Sequence, residues 1–183
     1  MDINDKTTAR RAVFLDRDGV LTVEKGYVCT PYDLEIFKYS RECVDIIHQR
    51  GYLAIVVTNQ SGIARGLFNE EILKTMNDAL ITETGVDAVY YCPHYPQGRI
   101  ERYSVPCNCR KPQIGMVVQA FGDYGIISEG SFMVGDRASD IVLGQNAGLK
   151  TVLLESGYGT GRLEVPVKPD YVFEDLRDFV DIL

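Results

Sequence analysis

The chain has 183 residues, 45% of them hydrophobic and 25% charged, with a net charge of −7 at pH 7. These values suit one globular domain spanning residues 1–183, with enough chain for a substantial core. The acidic balance without a basic cluster excludes a nucleic-acid backbone as partner, and no apolar run reaches membrane-spanning length. The polar start, Met1 to Arg11, has no signal-peptide core, so a cytoplasmic location is expected.

In chain order, Ala12 to Leu15 is a short apolar run that reads as a buried parallel strand. It stops at Asp16-Arg17-Asp18-Gly19, two carboxylates one residue apart. Glu24 to Tyr32 holds Gly26 and Pro31 and reads as a loop too short for a cap domain. Ser40 is placed to cap a helix to about Arg50, with Cys43, Val44, Ile46 and Ile47 on one stripe and Gly51 ending it. Leu53 to Val57 predicts a second strand, ending in Thr58-Asn59-Gln60-Ser61-Gly62. Asn69-Glu70-Glu71 opens a helix to about Thr84, its acids at the positive end. Val86 to Tyr91 predicts a third strand, and a Pro- and Gly-broken stretch follows up to Pro112. Then come a helix over about 114–124, a strand at Phe132 to Val134 ending in Gly135-Asp136, and a helix over about 139–147. A strand at Thr151 to Leu154, a polar Gly-rich stretch, a short strand at 171–173 and a helix from Asp175 complete the chain. Strands alternating with helices imply a three-layer α/β/α sandwich around a mostly parallel, Rossmann-like sheet.

Three strand ends carry polar clusters, and Arg110-Lys111 precedes a helix. In a doubly wound sheet such ends converge on one crevice. Two acids as close as Asp16 and Asp18 repel unless a cation lies between them or one stays protonated. A hard, oxygen-ligated Mg²⁺ resolves the conflict, held by Asp16, the Asp18 main-chain carbonyl and Asp136. The chemistry that suits this set is phosphoryl transfer. Asp16 is the nucleophile, and Asp18 is the general acid and base. The Thr58 hydroxyl, the Asn59 amide and the Lys111 ammonium hold phosphate oxygens. Blander readings exist: Asp136 as a helix N-cap and Lys111 as a solvated charge, while Asp140, one turn after Asp136, reads either as orienting a metal-bound water or as a surface acid. His48 reads as a surface residue and Cys43 as core.

Cys92-x-His94 and Cys107-x-Cys109, twelve residues apart, offer three thiolates and one imidazole. Four protein ligands of this kind suit a closed, structural Zn²⁺ site. The segment 92–110 has few apolar residues to pack, and a metal is a physical way to hold it. Because the ligands adjoin Arg110 and Lys111, the zinc loop would also deliver both cations to the substrate.

These residues carry a resemblance. Asp16-x-Asp18-Gly19-Val20, Thr58-Asn59, Lys111 and Gly135-Asp136-x3-Asp140 resemble, in order, the four motifs of the haloacid-dehalogenase (HAD) phosphatases. The longer stretches 58–66, Cys92-Pro93-His94 and Cys107-x-Cys109-Arg110-Lys111-Pro112 resemble the heptose bisphosphate phosphatases and their sister family, the histidinol-phosphate phosphatases. The resemblance implies a capless HAD fold and a monomeric enzyme acting on a small phosphorylated sugar. The first family would remove the 7-phosphate of a heptose 1,7-bisphosphate and leave the 1-phosphate for nucleotide activation, as in lipopolysaccharide biosynthesis. It further implies substrate contacts from Arg17, the loop Glu24-Lys25-Gly26-Tyr27, Asn59, Gln60-Ser61 and Arg110. Arg137 stands where the family commonly has lysine and is expected to attract phosphate. Two alternatives remain open at this point: a histidinol-phosphate phosphatase, and a zinc-loop binding module on an inactive scaffold.

Overall fold

The computed structural model describes residues 9–162 and 166–183; the polar start up to residue 8 and residues 163–165 lie outside the described residues. Six strands form one parallel sheet: β1 (Arg11–Leu15), β2 (Tyr52–Asn59), β3 (Ala88–Cys92), β4 (Phe132–Gly135), β5 (Lys150–Leu154) and β6 (Tyr171–Phe173). Their order is β3-β2-β1-β4-β5-β6. The chain starts at the centre, builds outward to one edge, then returns to build the other. The order reverses between β1 and β4, and the crevice of such a sheet opens there, at the carboxyl ends of the strands.

Alternation along the strands assigns the two faces. Val13 and Leu15 of β1, Ala54 and Val56 of β2 and Val134 of β4 share one core with α1 (Ser40–Gln49) and α5 (Leu176–Ile182). Ala12, Phe14, Ile55, Val57 and Met133 face the other way, against α3 (Gly115–Tyr124) and α4 (Ala138–Asn146). Ala12 to Leu15 are wholly buried because both faces are covered. Each aliphatic or aromatic side chain so buried contributes roughly 1.5–3 kcal/mol. A third, smaller cluster joins Ile63, Ala64 and Phe68 after β2 to Leu73 and Met76 of α2 (Glu70–Thr84) and to Tyr103. It seats the long loops over the end of the sheet.

Several boundaries differ from those the sequence predicts. Ser40 is the first residue of α1 and does not cap it. Its hydroxyl donates instead to the Leu21 carbonyl at 2.8 Å, tying the helix to the loop after β1. Asn69 and Asp175 do cap their helices, each side chain accepting from a main-chain amide. β2 runs on through Thr58 and Asn59, and β3 ends one residue later, on Cys92. Both extensions put chemistry-bearing residues on the rigid sheet.

Candidate active site

A cavity of about 500 Å³ opens over the carboxyl ends of β1, β2 and β4. Asp16, Asp18, Thr58, Asn59, Lys111 and Arg137 all line it, so the polar strand ends do converge. Asp16 follows β1 directly, and its amide donates to the Val134 carbonyl at 2.9 Å. Lys111 arrives from the loop before α3. Its Nζ lies 2.8 Å from Asp16 Oδ2 and 2.7 Å from Asp140 Oδ1, and it donates to the Val57 carbonyl at 3.0 Å. Burial opposes the lysine's charge, but Asp140 and Asp16 outweigh it and hold the pKa above its ordinary value.

Asp16, Asp136 and Asp140 each place a carboxylate oxygen within 4.8 Å of the others. Burial, then the neighbouring carboxylates, pushes Asp136 up to about 8. Burial also raises Asp16, to about 6, against the pull of Lys111. Asp136 Oδ2 accepts from the Tyr158 amide at 2.8 Å, while its buried Oδ1 has no hydrogen-bond partner among the described residues. A Cβ at Gly19, whose φ is +84°, or at Gly157 would run into that carboxylate. Both positions therefore need glycine, and the two loops close tightly around the acid. Three crowded, buried carboxylates with one orphaned oxygen form the hard donor set that fits Mg²⁺.

The acids take separate places around this set. Of the two readings the sequence leaves for Asp140, the surface acid falls away: the residue is wholly buried, paired with Lys111, and its Oδ2 accepts from the Arg137 amide at 3.1 Å. The Asp18 carboxylate stands outside the acid triangle. Arg17 forks onto it from Nε (3.0 Å) and Nη2 (2.9 Å), and Thr22 and Gln60 donate to it at 3.1 Å each. Arg17, 1% exposed, is thus committed to Asp18 through two of its nitrogens. Asp136 is not a cap; Arg137 is the N-cap of α4.

Gln60 Nε2 also donates to the Thr58 hydroxyl at 3.0 Å, which links the second strand end to the Asp18 side. The Asn59 side chain clamps the Lys111 backbone, with Oδ1 accepting from its amide at 3.0 Å and Nδ2 donating to its carbonyl at 3.3 Å. Ser61, Gly26 and Tyr27 line the cavity wall. Lys25 does not line it: its Nζ pairs with Glu35 at 2.9 Å and donates to the Asp33 carbonyl at 3.2 Å. Arg137 lines the cavity but is charge-compensated, pairing with Glu24 at 3.0 Å and lying 3.8 Å over the Tyr158 ring.

Cys92, His94, Cys107 and Cys109 meet in one cluster. The Cys92 Sγ lies 3.6 Å from Cys107 Sγ and 3.7 Å from His94 Nδ1, and His94 Nδ1 lies 3.3 Å from Cys109 Sγ. Tetrahedral ligands at about 2.3 Å from Zn²⁺ are separated by similar distances, and the pair Cys109 Sγ–Cys92 Sγ, at 2.9 Å, would open slightly around an ion. The Arg110 guanidinium donates to the His94 carbonyl at 3.2 Å, so the cluster also fixes Arg110. His48 sits far along the chain from both sites and is exposed, paired with Asp87 at 2.9 Å. Sequence reasoning passed over Arg65, Tyr95 and Tyr158 as site residues, and all three line the cavity. Arg65 alone carried a signal, as the basic residue of the stretch 58–66.

Residues 108–179 match the Hydrolase_like family model, described as HAD-hydrolase-like. A D-glycero-beta-D-manno-heptose-1,7-bisphosphate 7-phosphatase from Haemophilus ducreyi is 42% identical over 93% of this chain and 97% of its own length. A D-glycero-alpha-D-manno-heptose-1,7-bisphosphate 7-phosphatase from Photorhabdus laumondii is 39% identical over 82% of this chain and 85% of its own. The crystal structure of the D,D-heptose 1,7-bisphosphate phosphatase from B. bronchiseptica, complexed with magnesium and phosphate, aligns with a TM-score of 0.80. Its identity is 30%, covering 94% of this chain and 97% of that one. With the acid triangle, the lysine and the cysteine–histidine cluster in place on a HAD fold, the chain belongs to the D-glycero-D-manno-heptose-1,7-bisphosphate 7-phosphatase family of HAD-like phosphoric monoester hydrolases.

Proposed function

We propose that the chain hydrolyses the 7-phosphate of D-glycero-D-manno-heptose 1,7-bisphosphate, releasing inorganic phosphate and heptose 1-phosphate. The observation that carries this reading is the approach of Lys111 Nζ to Asp16 Oδ2, 2.8 Å, inside a cavity whose wall is rich in arginine. The Arg17 amide holds Asp16 Oδ1 at 2.7 Å, which orients the other oxygen. Asp16 attacks phosphorus, and the bond from phosphorus to the C7 oxygen breaks as the Asp16–phosphorus bond forms. Asp18 gives its proton to the departing oxygen, then takes one from the water that attacks the aspartyl phosphate. Lys111, the Thr58 hydroxyl and the Asn59 main-chain amide would hold the charge that spreads over the phosphoryl oxygens.

Asp16, the Asp18 carbonyl and Asp136 would hold Mg²⁺, with Asp140 oriented by Lys111 at its flank. When bound, the ion neutralises charge between nucleophile and phosphate. Cys92, His94, Cys107 and Cys109 would hold a structural Zn²⁺. The protein is expected to act as a monomer on a small phosphorylated sugar, in the cytoplasm where such sugars are activated. Among the described residues no helix is long and apolar enough to cross a membrane. Arginines lining the cavity suit a second anionic pole and oppose the cationic amine of histidinol phosphate. Side-by-side kinetics test the proposal. The kcat/KM for the bisphosphate should exceed that for histidinol phosphate; the reverse order would overturn it.

A further inference from the structure

Four arginines line the cavity, and they are not equivalent. Arg17 has its charge answered by Asp18, with only its Nη1 left without a hydrogen-bond partner, and Arg137 has its charge answered by Glu24. Arg65 and Arg110 have no carboxylate partner among the described residues. Both stack on one ring: the Arg65 guanidinium carbon lies 4.1 Å from the Tyr95 centroid and that of Arg110 lies 5.1 Å from it. Arg65 Nε is buried and has no hydrogen-bond partner. The arrangement is built, not incidental. The turn carrying Arg65 is stitched to the zinc segment by the Arg99 and Ile100 amides, which donate to the Ala64 carbonyl at 2.7 and 2.9 Å. Arg110 is tied to the other side of that segment through the His94 carbonyl.

Two guanidiniums held against the same aromatic plate repel each other, and stacking replaces only part of what a counter-ion would supply. A phosphate dianion supplies it, because each planar fork can donate two parallel hydrogen bonds to phosphate oxygens. We propose that Arg65, positioned by Tyr95 beside Arg110, is a specificity-determining residue that binds the phosphate the enzyme retains, while Lys111 and Asp16 act on the phosphate it removes. This rests on the function proposed above. It also separates the chain's cations into a reading pair and a compensated one, since Arg137 has its charge already answered by Glu24.

The test compares heptose 1,7-bisphosphate with heptose 7-phosphate, which lacks the retained group, in the wild-type enzyme and in Arg65→Ala. The wild type should prefer the bisphosphate. Arg65→Ala should raise KM for the bisphosphate by about tenfold or more with a smaller change in kcat, and leave the monophosphate within about twofold. Arg65→Lys should recover part of the preference, since it restores charge without the fork. Equal losses on both substrates, or an unchanged preference, would overturn the assignment. Absence of bisphosphate hydrolysis by the wild type would instead overturn the parent reading. Activity on the monophosphate reports that each variant is folded.

Discussion

The molecule holds its two chemical centres by different means. Two members of the acid triangle, Asp16 and Asp136, follow β1 and β4, strands buried on both faces, and the third, Asp140, stands in the first turn of α4, so the core positions all three before any ligand arrives. The segment 92–110, proposed to bind zinc, has few apolar side chains of its own; beyond the small Tyr103 cluster and the hydrogen bonds to the Ala64 carbonyl, it is drawn together by the Cys92, His94, Cys107 and Cys109 side chains. Lys111 belongs to both regions. Two residues after a zinc ligand, it ends between Asp16 and Asp140, and Asn59 on β2 grips its backbone. The comparison teaches that a rigid sheet can carry fixed acids, while the complementary cation must be delivered by a loop that something else rigidifies.

The strongest way to break the contrast is at its fixed side. Asp16→Asn should lower kcat by about 10⁴-fold or more with the fold intact, read by single-turnover phosphate release and circular dichroism. Lys111→Met strikes the shared residue. It should cost about 10²–10³ in kcat, and also stability, because removing one partner of a buried pair typically costs about 3–5 kcal/mol. Thermal melts and kinetics together check this; loss of activity with an unchanged melt would place Lys111 outside the ion-pair network.

Zinc removal strikes the loop alone. Chelation should raise amide exchange across residues 92–110 while leaving β1 and β4 protected, and phosphate binding should weaken with it. Uniform loosening of the chain would contradict the division into two regions. A smaller effect concerns pH. Asp136, raised to about 8, and Asp16, raised to about 6, bind protons in the metal-free fold that the unfolded chain releases near 4. Their burial therefore costs increasing stability as pH rises from about 4 towards 8. Mg²⁺ binds the deprotonated carboxylates, so the rise in melting temperature it produces should be larger at pH 8 than at pH 6. Smallest of all, Arg137→Lys should change kcat/KM by less than about threefold, since Glu24 already neutralises that charge.

The sheet was legible in the sequence because both-face burial leaves unbroken apolar runs, as in Ala12 to Leu15, and polar residues end them abruptly. The cysteine–histidine cluster was legible because soft ligands recur at short spacing. What failed was whatever depended on tertiary partners. Ser40 has the chemistry of a cap, but a nearby carbonyl, that of Leu21, claims its hydroxyl. Asp140 stays open between a site acid and a surface acid, because its place four residues after Asp136 does not distinguish solvent from a buried lysine. Lys25 and Arg137 each found an acid, Glu35 and Glu24, that local sequence does not mark as a partner. Arg65 and Tyr95 come together only because two loops are stitched at Ala64.

The most direct measurement is a phosphorus NMR time course of the Mg²⁺- and Zn²⁺-loaded enzyme with heptose 1,7-bisphosphate. The C7 resonance should disappear into inorganic phosphate at a one-to-one ratio while the C1 resonance persists. Release of the C1 phosphate, or turnover that survives in Asp16→Asn, would contradict the placement of the reacting group between Asp16 and Lys111.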